Sequence, residues 1–530
     1  MAYRGQIINI PLGELGLFTD DAQTITPPQG LIRAENVEIK HGYLEKTPGS
    51  KRWNKTALPS GVAQFFDWWP DENTQRAIVV TKDGRVWRFT DQYHYTEVLP
   101  ENDAPANLRV SSQVVMVGAG QEEAGNPRKL FIFTGNDPVQ VISGDGTTRH
   151  NMTHPAADWS GSFYPSFGIP FQNRLYCFGN RNQPHFLYGS SPTDHEDFVT
   201  LGSAVFANVF PGDSERLISA ANYKGQLVLF KYPFGFYLLN VDDPSAPFPQ
   251  KMGSSFGAGS GLGSIQVLDD LWIGNSTGSI TSLNATNSLG GMQQSDVVKS
   301  MKCYKYLQEH VAPIKNFSQQ AIWYEAKKLA LFSFHSPSSA KPDRIFTIDL
   351  QSSRPRPTMN TKDQPNCLGL MKDTVRIDRP FYGAEDGYLY AMDQKNRNVA
   401  DNAYEMSFQT PFLDFSFVDR RLADVNKNFD FLEVKFEPMG NWDLLADVFI
   451  DNRFVETVKF NMAQQDVLDN NFRLDQSRAS GPGARNALRP IHGMGRQISV
   501  RFYNAEKNHN ARIQSVTFYF RPSGQQQRSS

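Results

Sequence analysis

Cysteine is scarce in this chain: Cys177, Cys303 and Cys367 are the only three in 530 residues. They are far apart and odd in number, with no CxxC or Cys/His spacing beside them. That argues against a disulfide framework and against a thiolate zinc site, and it fits assembly in a reducing cytoplasm. Long apolar runs are also missing. No stretch approaches the ~18 apolar residues of a spanning helix, and the opening MAYRGQIINIPLGELG has no apolar segment of secretory length. We therefore expect a soluble chain with no membrane span. Charge of one sign is lacking as well, since 53 Lys and Arg stand against 55 Asp and Glu for a formal net charge of -2. On average nothing attracts a polyanion, so any contact with nucleic acid must be local or repulsive.

What is abundant is aromatic: 12% of the chain, with 38 Phe and 19 Tyr. This favours sheets over a helical protein. The clearest pattern runs from Ala63 to Asp91, AQFFDWWPDENTQRAIVVTKDGRVWRFTD. Gln64 to Trp69 reads as a strand, Pro70 to Asn73 as a turn, and Ala77 to Val80 as a β-branched run too short for a helix. Asp83-Gly84 then reverses the chain into Val86 to Thr90, because a two-residue hairpin turn needs positive φ, which Gly takes freely and Asp tolerates. Three strands of this size cannot bury both faces alone, so the unit needs neighbours.

The same strand, turn, apolar strand, turn, closing strand recurs with little sequence identity. KLFIFTG (Lys129 to Gly135), RLYCFG (Arg174 to Gly179), QLVLFK (Gln226 to Lys231), LWIGNS (Leu271 to Ser276), KLALFSFH (Lys328 to His335) and PFYGAED (Pro380 to Asp386) are the successive middle strands. The turns that follow the middle strands step by about 50 residues, the spacing of propeller blades. After Asp393 the repeat stops, and longer strands with period-two alternation follow. Leu432, Val434 and Phe436 share one face, as do Ile498, Val500 and Phe502, and Val516, Phe518 and Phe520, which indicates two packed antiparallel sheets.

The fold expected is all-β, an about seven-bladed β-propeller followed by a C-terminal antiparallel β-sandwich. Residues 1–60 form an N-terminal arm and propeller-closing strands, 61–395 the propeller, 396–404 a linker, 405–523 the sandwich and 524–530 a tail. A propeller left open has two unpaired sheet edges, so Val37 to Lys46 is expected to pair near Tyr388 to Asp393 and close the last blade. One helix is expected between the fifth and sixth units, with Val297, Met301, Tyr304 and Val311 on one face, Ser295 or Asp296 as N-cap and Pro313 beyond its end.

Candidate chemistry is thin. Gly253-Ser254-Ser255-Phe256-Gly257 and Gly274-Asn275-Ser276-Thr277-Gly278 have the GxSxG form, but a nucleophile elbow needs a helix after the serine, and Ser276 precedes the β run SITSL. Gly257 to Ser264, GAGSGLGS, ends in no Gly-Lys-Ser/Thr, so it reads as a flexible loop at a blade edge or facing a channel. Ser143-Gly144-Asp145-Gly146 reads as turn chemistry. The acid pairs Glu122-Glu123, Asp242-Asp243 and Asp269-Asp270 fall in predicted turns, whereas a glycosidase needs two carboxylates facing across a cleft. His195-Glu196-Asp197 has no second His at metal spacing. Arg478, Arg485 and Arg489, in a loop from Ser477 to Pro490, could touch phosphate or pair with carboxylates in a subunit contact. No catalytic, cofactor-binding or metal residue is assigned.

AENVEIKHGYLEKTPG resembles the opening of the tail hub or nozzle proteins of podoviruses, the tail tubular protein B-like family. The stretches PFQNRLYCFGNRNQPHFLYGSSPTDHEDF, ERLISAANYKGQLVLFKYPFGFYLL and SIQVLDDLWIGNSTGSI are similar to its blade units, and GMGRQISVRFYNAEKNHNARIQSVTFYFRPSG to its closing strands. The region FFDWWPDE departs from that pattern. The resemblance implies a structural virion protein with no active site and no cofactor, assembled in the host cytoplasm. It further implies a homohexameric ring below the portal and its tail adaptor, to which fibres or spikes attach and through which phage DNA passes without specific binding. Two other readings remain open: a propeller enzyme or lectin acting on glycans, with carboxylates and aromatics converging at the central pore, and an intracellular interaction scaffold with one adhesive face.

Overall fold

The computed structural model describes residues 5–21, 26–40, 42–110, 113–120, 128–210, 215–240, 247–253, 256–285, 292–312, 318–373, 375–440, 442–462 and 485–523. The described residues are nearly all β, built into many small sheets, with two short α-helices among them. Sheet one comprises Val62–Trp68, Arg76–Thr81, Val86–Phe89 and Tyr95–Glu97. Sheet two comprises Val115–Ala119, Lys129–Phe133, Gln140–Ile142 and Thr148–Asn151, with Leu99–Pro100 added on its outer edge. Sheets three, four and five open with Phe167–Phe171, Arg216–Tyr223 and Ser264–Val267, each followed by three antiparallel partners. Sheet six opens with Ala321–Tyr324 and sheet seven with Cys367–Lys372.

The first strand of each sheet lies against the first strand of the next, and Cys367–Lys372 returns against Val62–Trp68, so the series closes on itself. The physical reason is burial on both faces. The middle strands Arg174–Phe178 and Gln226–Tyr232 are apolar and covered almost throughout, so each sheet needs a neighbour on either side. The hairpin expected at Gly84 is present, with φ +84.

Seam closure differs from expectation. Val37–Lys40 and Tyr43–Lys46 pair with each other, and Leu44 and Glu45 pair with Ile513 and Arg512 near the C-terminus, not near Tyr388 to Asp393. The alternating Val37, Ile39 and Leu44 are at most 3% exposed there, in the core of the C-terminal sheets. The fourth strand of sheet seven is instead Gly49–Arg52, with Tyr390 opposite Arg52 and Ala391 opposite Lys51. A Cβ at Gly49 would stand 2.1 Å from the Asn398 carbonyl oxygen, so the strand packs against that backbone as only glycine can.

Two further sheets occupy the C-terminal part. One runs Val37–Lys40, Tyr43–Lys46, Arg512–Pro522, Lys427–Glu437, Arg485–Gly495, with Gln6–Pro11 also pairing Arg512–Pro522. The other runs Arg33–Glu35, Met406–Gln409, Ile498–Asn504, Asp443–Ile450, Arg453–Asn461, and is continuous with sheet six through Glu35 and Met359. The expected inward faces, from Leu432 to Phe520, are fully buried in one core shared with Ile8, Ile10 and Leu17.

The expected single helix is two, Val297–Ser300 and Tyr304–His310. Asp296 caps the first, accepting from the Lys299 N–H. The break falls at Lys302, φ +60, whose carbonyl accepts the backbone N–H groups of Thr19 and Asp20 from the N-terminal segment. Residue 313 lies outside the described residues.

Candidate functional site

A cavity of about 730 Å³ lies inside the ring, lined by the first strands of its sheets. One end is crossed by the glycine run Gly257 to Ser264. The segment is buried along most of its length, contrary to the flexible loop its composition suggests. The backbone N–H of Gly261 and the hydroxyl of Ser260 both donate to Gln113 Oε1 at 3.2 Å. The Ser219 hydroxyl donates to the Gly261 carbonyl at 2.8 Å, and the Ala321 N–H to the Leu262 carbonyl at 2.9 Å. The run thus ties together sheets two, four, five and six. Its centre is tightly packed: a Cβ on Gly261 would stand 2.9 Å from Gln113 Oε1, 3.0 Å from Phe167 Cδ2 and 3.1 Å from the Ile218 carbonyl. The channel is therefore a blind cup, closed where the first strands begin.

The open end carries side chains from where those strands finish: Asp67 and Trp69 on sheet one, Gln266 on sheet five, Trp323 and Glu325 on sheet six, and Lys372 and Asp378 on sheet seven. Asp67 accepts from the Lys372 backbone N–H and from Gln75 Nε2, both at 2.8 Å. Burial raises its pKa above the ordinary carboxylate value, against the pull of those donors. Trp323 Nε1 donates to the Glu325 carboxylate. The Trp69 ring faces the Lys372 ammonium at 5.6 Å and the Arg376 guanidinium at 5.4 Å. Trp69 belongs to FFDWWPDE, whose departure from the family pattern was visible in the sequence. Trp69 follows the last residue of its strand, whereas Trp323 is the penultimate residue of its own, so no shared strand position pairs the two in the sequence.

The residues weighed from sequence do not converge on this cup, apart from the glycine run that floors it. Ser276 sits in a turn, its hydroxyl donating to the Pro233 carbonyl at 2.9 Å, with the strand Ile280–Ala285 after it. Ser254 and Ser255, Glu122-Glu123, Asp242-Asp243 and Arg478 lie outside the described residues. Asp145 accepts from the Thr147 N–H at 3.0 Å, as turn chemistry predicts. Asp269 sits in the turn before Asp270–Gly274, as predicted, while Asp270 begins that strand and accepts from the Ser282 hydroxyl at 2.9 Å. Arg485 and Arg489 begin an edge strand, and Arg489 Nε donates to the Lys459 carbonyl at 3.0 Å.

Glu196 forms a cluster of its own between sheets two and three. Its buried carboxylate accepts from Lys129 Nζ at 2.7 Å and from the Thr153 N–H at 3.1 Å, and pairs with His150 Nε2 at 3.2 Å. Burial alone would raise its pKa, but the His150 and Lys129 contacts outweigh that and hold it at about 2. His195 turns away into a covered position, where burial lowers its pKa. Among the described residues no group of three or more His, Cys, Asp or Glu is placed to hold a metal ion.

No family model matches the chain, and no curated protein matches it. Among solved structures it is similar to YCF48 from Cyanidioschyzon merolae, at 10% identity and a TM-score of 0.41, over 64% of this chain and 98% of that one. Among the described residues no helix is long and apolar enough to cross a membrane.

Proposed function

We propose that the chain is a seven-bladed β-propeller joined to a C-terminal β-sandwich, and that it serves as a structural subunit of the tail hub or nozzle of a short-tailed bacteriophage. Copies assemble as a ring, homohexameric by the family resemblance, below the portal and its adaptor, with fibres or spikes on its outside. The observation that carries this reading is the pair of apolar edges left uncovered on a tightly fastened body. Phe206 and Phe248, on the outer strands of sheets three and four, are 51% and 65% exposed, and Phe454 and Leu488, on the edge strands of the two C-terminal sheets, 57% and 44%. Unlike apolar edges at separate places suit head-to-tail contacts, which close into rings. The blind cup supports a DNA route along the axis of the assembly, between subunits, and the near-neutral charge supports passage without tight phosphate binding.

The test is to incubate the purified full chain with an isolated portal and adaptor complex and to image the product in negative stain. Cyclic density added below the adaptor is expected, and Phe206→Glu together with Phe454→Glu should abolish it. A chain that stays monomeric and does not associate overturns the proposal.

A further inference from the structure

The mouth of the cup combines two indoles with hydrogen-bonding groups that the protein itself leaves partly unused. Asp67 is engaged on both oxygens, but Glu325, Asp378 and Gln266 are exposed at the rim. Trp69 and Trp323 stand on sheets one and six, with the strand Cys367–Lys372 of sheet seven between them. The bond from Trp323 Nε1 to Glu325 fixes the edge of that indole on the rim.

We propose that this cup binds a neutral saccharide of one or two rings, its apolar face stacked on Trp323 and its hydroxyls donating to Glu325 and Asp378. A volume of about 730 Å³ falls within the range of small-ligand pockets. The charges select the class. A cation meets Lys372 and Arg376 already seated over Trp69, whereas an anion meets Asp67, Glu325 and Asp378. A purely apolar ligand would strip water from those carboxylates without replacing it, which is unfavourable. A sugar ring offers both an apolar face for the indole and hydroxyl donors for the rim. This goes beyond a hub role, which needs no small ligand, and either can fail without the other.

The test is calorimetric titration of the full chain with cellobiose, chitobiose and maltose, with spermidine and inorganic phosphate as charged probes. Saturable binding of at least one disaccharide is expected, weakened at least about tenfold in Trp323→Ala and largely restored in Trp323→Phe. Thermal denaturation of both variants, compared with the parent chain, checks that the sheets are intact. Failure of all three disaccharides at about 20 mM, undiminished binding in a folded Trp323→Ala, or displacement of the sugar by spermidine or phosphate overturns the proposal.

Discussion

The backbone N–H of Gly261 donates to Oε1 of Gln113 at 3.2 Å, joining the segment before sheet five to the segment before sheet two across the ring. Because a Cβ at Gly261 would stand 2.9 Å from that oxygen and 3.1 Å from a backbone carbonyl, Gly261→Ala must displace the plug or its neighbours. The expected cost is about 1–3 kcal/mol, as for overpacking in a covered core, read as a lower midpoint in chemical denaturation. Gln113→Ala should cost less, since it leaves space in place of a clash.

Gly49 makes the tightest approach at the seam. With its Cβ position 2.1 Å from the Asn398 carbonyl and 2.7 Å from that of Asn396, Gly49→Val should detach Gly49–Arg52 from sheet seven. Limited proteolysis should then cut between Gln394 and Asn402 faster than in the parent chain. Unchanged protection would show that the seam holds without this strand.

Glu196 and His150 make the contact between sheets two and three pH-dependent, with opposite signs. The Glu196 pKa is lowered from 4.5 to about 2, so its contribution is complete above pH 4.5 and is lost as pH falls towards 2. That shift corresponds to about 3 kcal/mol at neutral pH. His150 is raised above 6.5, chiefly by its hydrogen bond to Glu196, so its contribution is complete below 6.5 and is lost as pH rises above it. Stability from this cluster should peak between pH 4.5 and 6.5, and Glu196→Gln should flatten both limbs of the profile measured by urea denaturation.

Cys177, Cys303 and Cys367 are at most 1% exposed, and burial pushes their thiols up, that of Cys367 to about 12. None should react with a thiol reagent at pH 8 in the folded chain, and all three should react in step with unfolding. Fast labelling of one under native conditions would reveal local opening at that sheet.

The apolar middle strands and the Gly turns were readable because each carries its own signal: a β-branched run too short for a helix, then a residue free to take positive φ. The outer strands were not. TRHN at Thr148–Asn151 and MQQSD at Met292–Asp296 are outer strands of polar composition, so they show no apolar alternation in sequence. Gly49–Arg52 escaped for the same reason, while Val37, Ile39 and Leu44 alternated clearly and were assigned to the wrong sheet, because alternation reports burial and not the partner. The helix pattern was visible but its break was not, since that depends on Thr19 and Asp20 arriving from far away in sequence. The cup was illegible as a site because its lining comes from all seven sheets and its rim residues from four of them, and because its glycine floor looks in sequence like slack chain.

The pairing of Gln6–Pro11 with Ser515 to Phe520 bears on how the protein is made. Gln6–Pro11 leaves the ribosome long before the strand it pairs with, and the seventh sheet is completed by a strand translated well before it. Contacts of such separation are slow to form. The nascent chain must hold Gln6–Pro11 unpaired until the strand Arg512–Pro522 has been made, so a product stopped before that strand lacks its clasp.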